Sequence, residues 1–195
     1  ATLAGVLSLE QALTIVALRA TSTQHDCPPG CMIAVRMPIG EAEEAVSTYN
    51  MLRGDGIGKL SVAAANSPIH QVISGPSDQI AELHAELTAA DKRSTQLHVT
   101  HGFHSSLMDP AANKIKGFVD ALEVTAKPSV PSIPMTSNVT GQWLGDEAVE
   151  GEYWAEHMAG TVRWSDNVKA LLKWKPDLML EVGPGSTLCT LSLKT

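Results

Sequence analysis

The chain has 195 residues, 44% of them hydrophobic, with 14 basic against 21 acidic side chains and a formal net charge of −7. This composition excludes a mainly disordered chain, and because no long run of like charges occurs, no basic surface for nucleic acid or anionic lipid is expected. The longest apolar runs, such as the one from Ile15 to Leu18, are far shorter than the roughly 20 residues that cross a bilayer. We therefore expect neither nucleic acid nor membrane as a partner.

The cysteine pattern indicates free thiols. Cys27, Cys31 and Cys189 are an odd number at spacings that fit neither a disulfide framework nor a paired zinc knuckle. Free thiols are typical of a cytoplasmic protein. No initiator Met and no charged leader precede the first apolar segment, so we expect the chain to be a piece of a longer one.

The first predicted element is an amphipathic helix that starts after Ser8 and ends near Arg19. Ser8 and Gln11 have the spacing of a capping box, and a Cys27-Pro28-Pro29-Gly30 segment stops the helix before the next unit. The apolar stripe of this helix has helical spacing. It consists of Leu9, Leu13, Val16 and Ala20.

Residues 31–99 are predicted to form a ferredoxin-like split unit with the order βαββαβ. Its strands are predicted at 32–37, 60–65, 72–74 and 96–99, with a first helix over 41–49. The second helix follows Gly75-Pro76-Ser77, which is expected to cap it. Its apolar face consists of Ile80, Leu83, Leu87 and Ala90.

The remaining segments, 1–30 and 100–195, are predicted to form an α/β body around this insert. A helix is predicted over 110–122 and a strand over 133–138. A second helix is capped by Ser165 or Asp166, and a last strand over 178–182 runs into Gly183-Pro184-Gly185, a tight structural exit.

The densest polar chemistry lies over 97–110, where a predicted strand passes into a predicted helix. His98, His101 and His104 recur every three residues, which suggests a metal site. Three histidines on a strand end and a loop rarely converge, however, and no carboxylate follows before Asp109, so we expect no bound metal. A histidine acting as general base needs a nucleophile within reach, and no Gly-x-Ser-x-Gly elbow occurs in these 195 residues.

Eight short blocks in order along the chain resemble the acyltransferase domain of polyketide synthases. The related free-standing enzyme is malonyl-CoA:acyl carrier protein transacylase. The resemblance implies a hydrolase-like parallel-sheet body, incomplete in this chain, with an inserted ferredoxin-like βαββαβ subdomain, in agreement with the split unit above. The matching blocks are 4–13 with 17–19, 30–35, 65–68, His101-Gly102-Phe103-His104-Ser105, 134–141, 153–154, 162–164 and 181–188.

The activity implied by the resemblance is a two-step transfer. A serine takes a malonyl group from coenzyme A and passes it to the phosphopantetheine thiol of an acyl carrier protein. In the family this serine lies in a Gly-His-Ser-x-Gly elbow just upstream of the segment that matches residues 3–13, so we expect the chain alone to form no acyl-enzyme. No resident cofactor is implied. The expected partners are the carrier protein and, in the same multidomain chain, a ketosynthase and its linker.

Two other functions stay open. The first is a non-catalytic docking or scaffolding module that keeps the acyltransferase shape, which the upstream sequence would distinguish by the presence or absence of the serine. The second, a serine hydrolase, is disfavoured by Arg19 and by Phe103 beside His104, and would release coenzyme A without a carrier protein.

The resemblance also implies roles for the catalytic group. His104 matches the histidine that accepts the serine proton. His157 matches a position whose main-chain carbonyl receives the other ring N–H and so fixes the tautomer. Asn138 either supports that arrangement or is a turn residue beside Thr140.

The substrate-binding expectations concern three residues. Arg19 is expected to bind the free malonyl carboxylate bidentately, although a cation at a helix end is the alternative. Phe103 is associated with malonyl over methylmalonyl units, and Gly102 in place of the usual Ala puts strict selectivity in question. Asn66 matches an asparagine near the substrate channel, but Asn66-Ser67-Pro68 is also a good turn, which we slightly prefer.

Overall fold

The computed structural model describes residues 1–53, 58–122 and 126–195. Short 3-10 turns at Ser106–Met108 and Asp146–Val149 accompany the regular elements. In chain order these elements are α1 (Leu9–Asp26), β1 (Cys31–Val35), α2 (Ile39–Arg53), β2 (Ser61–Ser67), β3 (His70–Gly75), α3 (Ser77–Ala89), β4 (Ser94–Gln96), α4 (Asp109–Asp120), α5 (Gly151–Ala159), α6 (Trp164–Lys173) and α7 (Thr187–Ser192).

The four strands form one antiparallel sheet in the order β2-β3-β1-β4. This order, with α2 and α3 as the two connections, confirms the predicted ferredoxin-like split unit. Successive side chains of a strand point to opposite faces of the sheet, and α2 and α3 cover one of these faces. The resulting core includes Ile33, Val35, Val62, Ile73, Ile80 and Leu83.

The second core joins α1, α4 and α5. Ile15 of α1 and Ile115 of α4 are buried in it, and the indole N–H of Trp154 donates to the Ala148 carbonyl at 3.0 Å. The predicted helix over 110–122 is confirmed as α4, whereas α5 and α7 were not predicted. The helix predicted near Ser165 is confirmed as α6, but it begins at Trp164 with Arg163 as its N-cap and has no side-chain cap bond, so neither Ser165 nor Asp166 caps it. No helix in the described part of the chain is both long and apolar enough to cross a membrane.

Helix α1 differs from its prediction in two respects. It continues seven residues past Arg19, because residues 20–26 tolerate a helix and only the prolines that follow stop it. Its predicted apolar stripe is also exposed: Leu9, Leu13 and Val16 keep 61 to 66% of their accessible surface. The face that packs is a different one, with Ile15 and Thr23 buried and Leu18 partly buried, because α1 lies on α4 along that side.

The prediction of two paired strands in the body is wrong. Residues 133–138 contain only an isolated bridge between Thr136 and Trp143, and 178–182 run as irregular chain. A strand is stabilised by hydrogen bonds to a neighbour, and none of the described residues supplies a neighbour here. Leu180 and Val182 are consequently 77% and 90% exposed.

Two smaller corrections concern turns. The N-cap of α3 is Pro76, and no side-chain hydrogen bond caps that helix, so Ser77 does not act as its cap. The hairpin between β2 and β3 turns at Pro68 and Ile69, which places Asn66 inside β2 rather than in a turn. All three cysteines are free, as expected from their spacing. The boundaries assigned to the insert, 31–99, stay a prediction.

Candidate active site

The loop between β4 and α4 is held against the sheet by close backbone contacts. The Gly30 amide donates to the Thr100 carbonyl at 3.1 Å, and His101 forms an isolated bridge with Pro29. A Cβ on Gly102 would lie 3.0 Å from the Gly75 carbonyl oxygen and 3.0 Å from the Leu107 side chain. Glycine at position 102 therefore allows a tight approach to β3, rather than loosening the loop.

His104 follows this approach in a left-handed backbone conformation, with φ +58°. Non-glycine residues rarely adopt it, and such strain is concentrated at functional sites. The Nδ1 atom of His104 lies 3.0 Å from the carbonyl oxygen of Gly160. Since a carbonyl can only accept, Nδ1 carries the proton and donates it, which leaves Nε2 of the neutral ring as a free acceptor.

The prediction that His157 supplies this carbonyl is wrong, because the acceptor is Gly160. His157 lies in the last turn of α5, where the carbonyls are directed along the helix axis. Gly160 is the residue after that helix and has an extended backbone, with φ −82° and ψ 168°, so its carbonyl is free to face the imidazole.

Both imidazoles are held neutral at physiological pH. Burial lowers the pKa of His104, and the positive charge of Arg19 lowers it further, against the opposing effect of the Gly160 carbonyl. Burial likewise lowers the pKa of His157 to about 4, with further contributions from Arg19 and His104. The ring of His157 packs 6.1 Å from the rings of both Tyr153 and Trp154, measured between centroids.

Arg19 lies where two cavities meet. One, of about 350 Å³, lies between α1 and the loop before His104 and is also lined by Phe103 and Thr23. The other, of about 230 Å³, is also lined by His157 and Trp154. Burial lowers the pKa of Arg19, and no acidic side chain in the described ranges forms an ion pair with it. Because Arg19 is seven residues from the end of α1, it does not serve as a terminal helix cation.

Phe103 lies between the core of α1, α4 and α5 and the open face of the sheet. It packs against the cluster built on α1 and α4 and also against the open face of the sheet, where Met32 and Val72 are buried. Its ring centroid is 6.0 Å from that of His101. Arg19 thus shares one cavity with Phe103 and the other with His157, and its charge is close enough to lower the pKa of both histidines.

Two of the expected site residues make their contacts elsewhere. The Asn138 side-chain oxygen accepts a 2.6 Å hydrogen bond from Asn167 in α6, and its carbonyl accepts from the Arg163 amide at 2.9 Å. Asn138 therefore links its loop to the start of α6. Asn66 lies on β2 and lines neither cavity beside Arg19.

The other polar residues of the loop include an exposed histidine and a buried serine whose contacts are structural. His98 is exposed, and within the ranges that the structure describes no three His, Cys, Asp or Glu side chains come close enough to hold a metal ion. Ser105 is buried, donates to the Gly102 carbonyl at 2.6 Å and caps the 3-10 turn, which fits a serine that is not a nucleophile.

Sequence reasoning missed Gly160 and Thr23. A glycine often ends a helix, but the sequence analysis did not predict α5, so Gly160 was not recognised as the residue that ends it. Thr23 lies beyond the predicted end of α1 near Arg19, and only the longer helix brings it one turn further along the same cavity.

Comparisons with known proteins agree with this geometry. The family model described as acyl transferase domain matches residues 1–195. The phenolphthiocerol/phthiocerol polyketide synthase of Mycobacterium tuberculosis includes a polypeptide that is 32% identical over 189 residues, which are 96% of this chain but 12% of that polypeptide. The chain therefore spans a small part of such relatives.

Solved structures show the same likeness. The acyltransferase domain from the second module of the salinomycin polyketide synthase has a TM-score of 0.87 and 29% identity, over 100% of this chain and 43% of that one. Malonyl-CoA:acyl carrier protein transacylase from Xanthomonas oryzae has a TM-score of 0.85 and 27% identity, over 99% of this chain and 60% of that one. The likeness confirms the predicted fold class, although the one sheet among the described residues is antiparallel.

Proposed function

Because the chain belongs to the acyl transferase domain family, we propose that it transfers a malonyl unit from coenzyme A to the phosphopantetheine thiol of an acyl carrier protein. The observation that carries this proposal is Arg19, a partly buried cation without an acidic partner among the described residues, beside Phe103 and a neutral His104. A small acyl group with a free carboxylate suits this combination. A polyketide or related fatty-acid synthase is the setting in which such a unit is used.

His104 is the general base of the proposed reaction. Its bare Nε2 takes the hydroxyl proton of a serine, which the resemblance places upstream of residue 3, while the serine oxygen attacks the thioester carbonyl. The same proton then passes to the sulfur of coenzyme A as the carbon–sulfur bond breaks. In the second half, the carrier thiol gives its proton to Nε2 and attacks the serine ester, and the proton returns to the serine oxygen. The Gly160 carbonyl keeps the ring oriented throughout.

Arg19 is the proposed carboxylate-binding residue. A guanidinium offers two parallel N–H groups that match the two oxygens of a carboxylate. A guanidinium left unpaired in a partly buried cavity is costly, so a plain acyl group that offers no carboxylate is disfavoured. Arg19 therefore selects a dicarboxylic half-ester.

Phe103 is proposed to limit the α-carbon of that half-ester to an unbranched chain. Its ring packs against the core of α1, α4 and α5 and against the open face of the sheet, so it has little freedom to move aside for a methyl group. Exclusion of one methyl is worth only about 1–3 kcal/mol. The close packing of Gly102 on β3 supports a fixed position for the ring.

The proposed partners follow from the relatives. The matched relatives include a polyketide synthase polypeptide that is much longer than this chain. We infer that the chain acts within a multidomain cytoplasmic synthase, next to a ketosynthase and its linker, and that the carrier protein delivers the accepting thiol. No bound cofactor is needed for this transfer, because serine and histidine perform both steps.

Replacement of Arg19 tests the proposal in the full-length protein. Arg19→Ala is expected to lower kcat/KM for malonyl-CoA by about 100-fold, because the buried carboxylate loses its counter-charge, and to change kcat/KM for acetyl-CoA by less than about threefold. The measurement is acyl transfer to carrier protein with each thioester. Arg53→Ala is the matched control, since Arg53 is an exposed, ion-paired arginine of α2. Equal losses with both substrates would exclude the carboxylate role.

A further inference from the structure

Helix α1 contains three threonines, and the hydroxyl of one of them differs from the other two in its hydrogen bonding. The exposed Thr14 and Thr21 donate their hydroxyls to the Glu10 and Ala17 carbonyls, four residues back, at 2.8 and 2.9 Å. This is the usual way in which a helical threonine satisfies its hydroxyl. Thr23 is only 7% exposed, yet its Oγ1 has no hydrogen-bond partner among the described residues.

Thr23, the residue that carries this unpartnered hydroxyl, lines the same cavity as Arg19. Thr23 is four residues after Arg19, so the two side chains lie on the same face of α1. Both line the cavity of about 350 Å³ together with Phe103. A buried hydroxyl without a partner loses free energy relative to water, and native structures seldom keep one unless a ligand or an ordered water completes it.

The lining of this cavity indicates which ligand would complete it. In the part of the chain that the structure describes, the lining contains the Arg19 guanidinium and no acidic side chain, so it is an environment for an anion. A carboxylate has about four lone-pair sites, of which a guanidinium fork takes two. At least one acceptor site is then left for a neighbouring hydroxyl.

We propose that the Thr23 hydroxyl is a second hydrogen-bond donor to the malonyl carboxylate, alongside Arg19. The inference rests on the proposed function, because it concerns the same acyl group. It adds a substrate-binding residue whose contribution is selective: Thr23 acts on acyl groups that carry a carboxylate and leaves acetyl groups unaffected. The hydroxyl also fixes the orientation of the carboxylate, since a side chain one turn from the arginine binds it from a second direction.

The test removes the hydroxyl and keeps the shape. In the full-length protein, Thr23→Val is expected to raise the KM for malonyl-CoA about 10-fold with kcat changed less than twofold, because the bond is made equally in the bound ground state and in the transition state. The KM for acetyl-CoA should change less than twofold. Thr23→Ser restores the hydroxyl and should return the malonyl KM to within twofold of wild type. Thr21→Val, on the exposed side of the same helix, is the matched control.

Packing alone would produce a different pattern. If Thr23 only fills space, Thr23→Val leaves both KM values unchanged, or Thr23→Ser raises both of them alike, and either result overturns the proposal. A malonyl KM unchanged in Thr23→Val overturns it even if the variant is less stable.

Binding of free malonate separates this proposal from the proposed function. Titration calorimetry with malonate and with acetate as probes requires no transfer reaction. A wild-type protein that binds malonate about 10-fold tighter than Thr23→Val, but transfers no acyl group, would support the role of Thr23 and refute the acyltransferase activity. A wild-type protein that transfers malonyl groups with no difference in Thr23→Val would do the reverse.

Discussion

The antiparallel sheet unit and the C-terminal segment after α6 differ in how they treat apolar side chains. Ile33 and Ile73, in the middle of the sheet, are 0% exposed, and α2 and α3 cover them completely. In the segment after α6, Leu180 and Val182 are largely exposed, although their sequence is as apolar as that of a core strand. An apolar groove of about 420 Å³ lies beside this segment and is lined by α6 and α7 residues such as Val168 and Leu188.

This difference shows that hydrophobic pattern and hydrophobic burial are separate properties. Burial stabilises by about 25 cal/mol for each Å² of apolar surface removed from water, so an exposed Leu contributes almost nothing to the fold of this chain. The site residues come partly from tightly packed segments and partly from a helix with an exposed face. His104 follows the tightly packed sheet unit, whereas Arg19 is on α1, whose opposite face is exposed.

The largest expected effect contrasts one residue from each region. Ile33→Ala should lower the free energy of unfolding by about 2–5 kcal/mol, because it removes three buried carbons and leaves a cavity between the sheet and its helices. Leu180→Ala should change it by less than about 0.5 kcal/mol, since no packing is lost. Urea denaturation followed by circular dichroism measures both values. Similar costs for the two variants would show that the C-terminal segment is packed in solution.

A second expected effect concerns pH and His157, a partly buried histidine of the body. The pKa of His157 falls from its ordinary value of 6.5 to about 4 on folding, so between pH 6.5 and pH 4 the unfolded chain binds more protons than the folded one. The free energy of unfolding therefore has its full value above pH 6.5 and decreases as the pH falls towards 4, because protonation of His157 favours the unfolded chain. A shift of this size corresponds to about 3 kcal/mol.

Denaturation at pH 7, 6, 5 and 4 measures this dependence, and His157→Gln isolates it. The variant removes the titrating group, so its free energy of unfolding should fall much less over the same range. His104, whose pKa is also lowered, contributes in the same direction and remains in both proteins. Parallel pH curves for the two proteins would contradict the assignment to His157.

The sequence predicted those elements whose stabilising contacts are local or periodic. The sheet unit was predicted in the correct order because its strands and helices change period at clear turn residues, and the α1 capping box was predicted because Ser8 and Gln11 act within one turn. The resemblance led us to expect Arg19 and His104 across one cleft, and in the structure the charge of Arg19 is close enough to lower the pKa of His104.

The remaining features depend on contacts that no local pattern contains. Because both faces of α1 carry apolar residues, its sequence does not show whether Leu13 or Ile15 is buried. The position of α4, about 100 residues later in the chain, decides this. The backbone carbonyl of Gly160 orients His104, and the type of side chain at a position does not show where its backbone carbonyl points. Asn138 was ambiguous for a similar reason, since its partner Asn167 lies in a distant helix.

The smallest expected effect compares how two helices begin, the half-exposed α1 and α3 of the sheet unit. In α1 the Ser8 hydroxyl accepts from the Gln11 amide at 3.1 Å, and the Gln11 side chain accepts from the Ser8 amide at 2.8 Å. Because half of α1 lacks packing, this local bond supplies a larger share of its stability than a cap does in a covered helix. Ser8→Ala should therefore lower the free energy of unfolding by about 1 kcal/mol.

Ser77→Ala is the matched control from the sheet unit. Ser77 lies in the first turn of α3, where Pro76 is the N-cap and no side-chain cap bond exists, so removal of the hydroxyl should change the free energy of unfolding by less than about 0.3 kcal/mol. Urea denaturation of both variants under the same conditions makes the comparison. A loss at Ser77 as large as that at Ser8 would mean that serine hydroxyls near helix starts stabilise this protein by a route other than capping, and the contrast between a packed helix and a capped one would no longer hold.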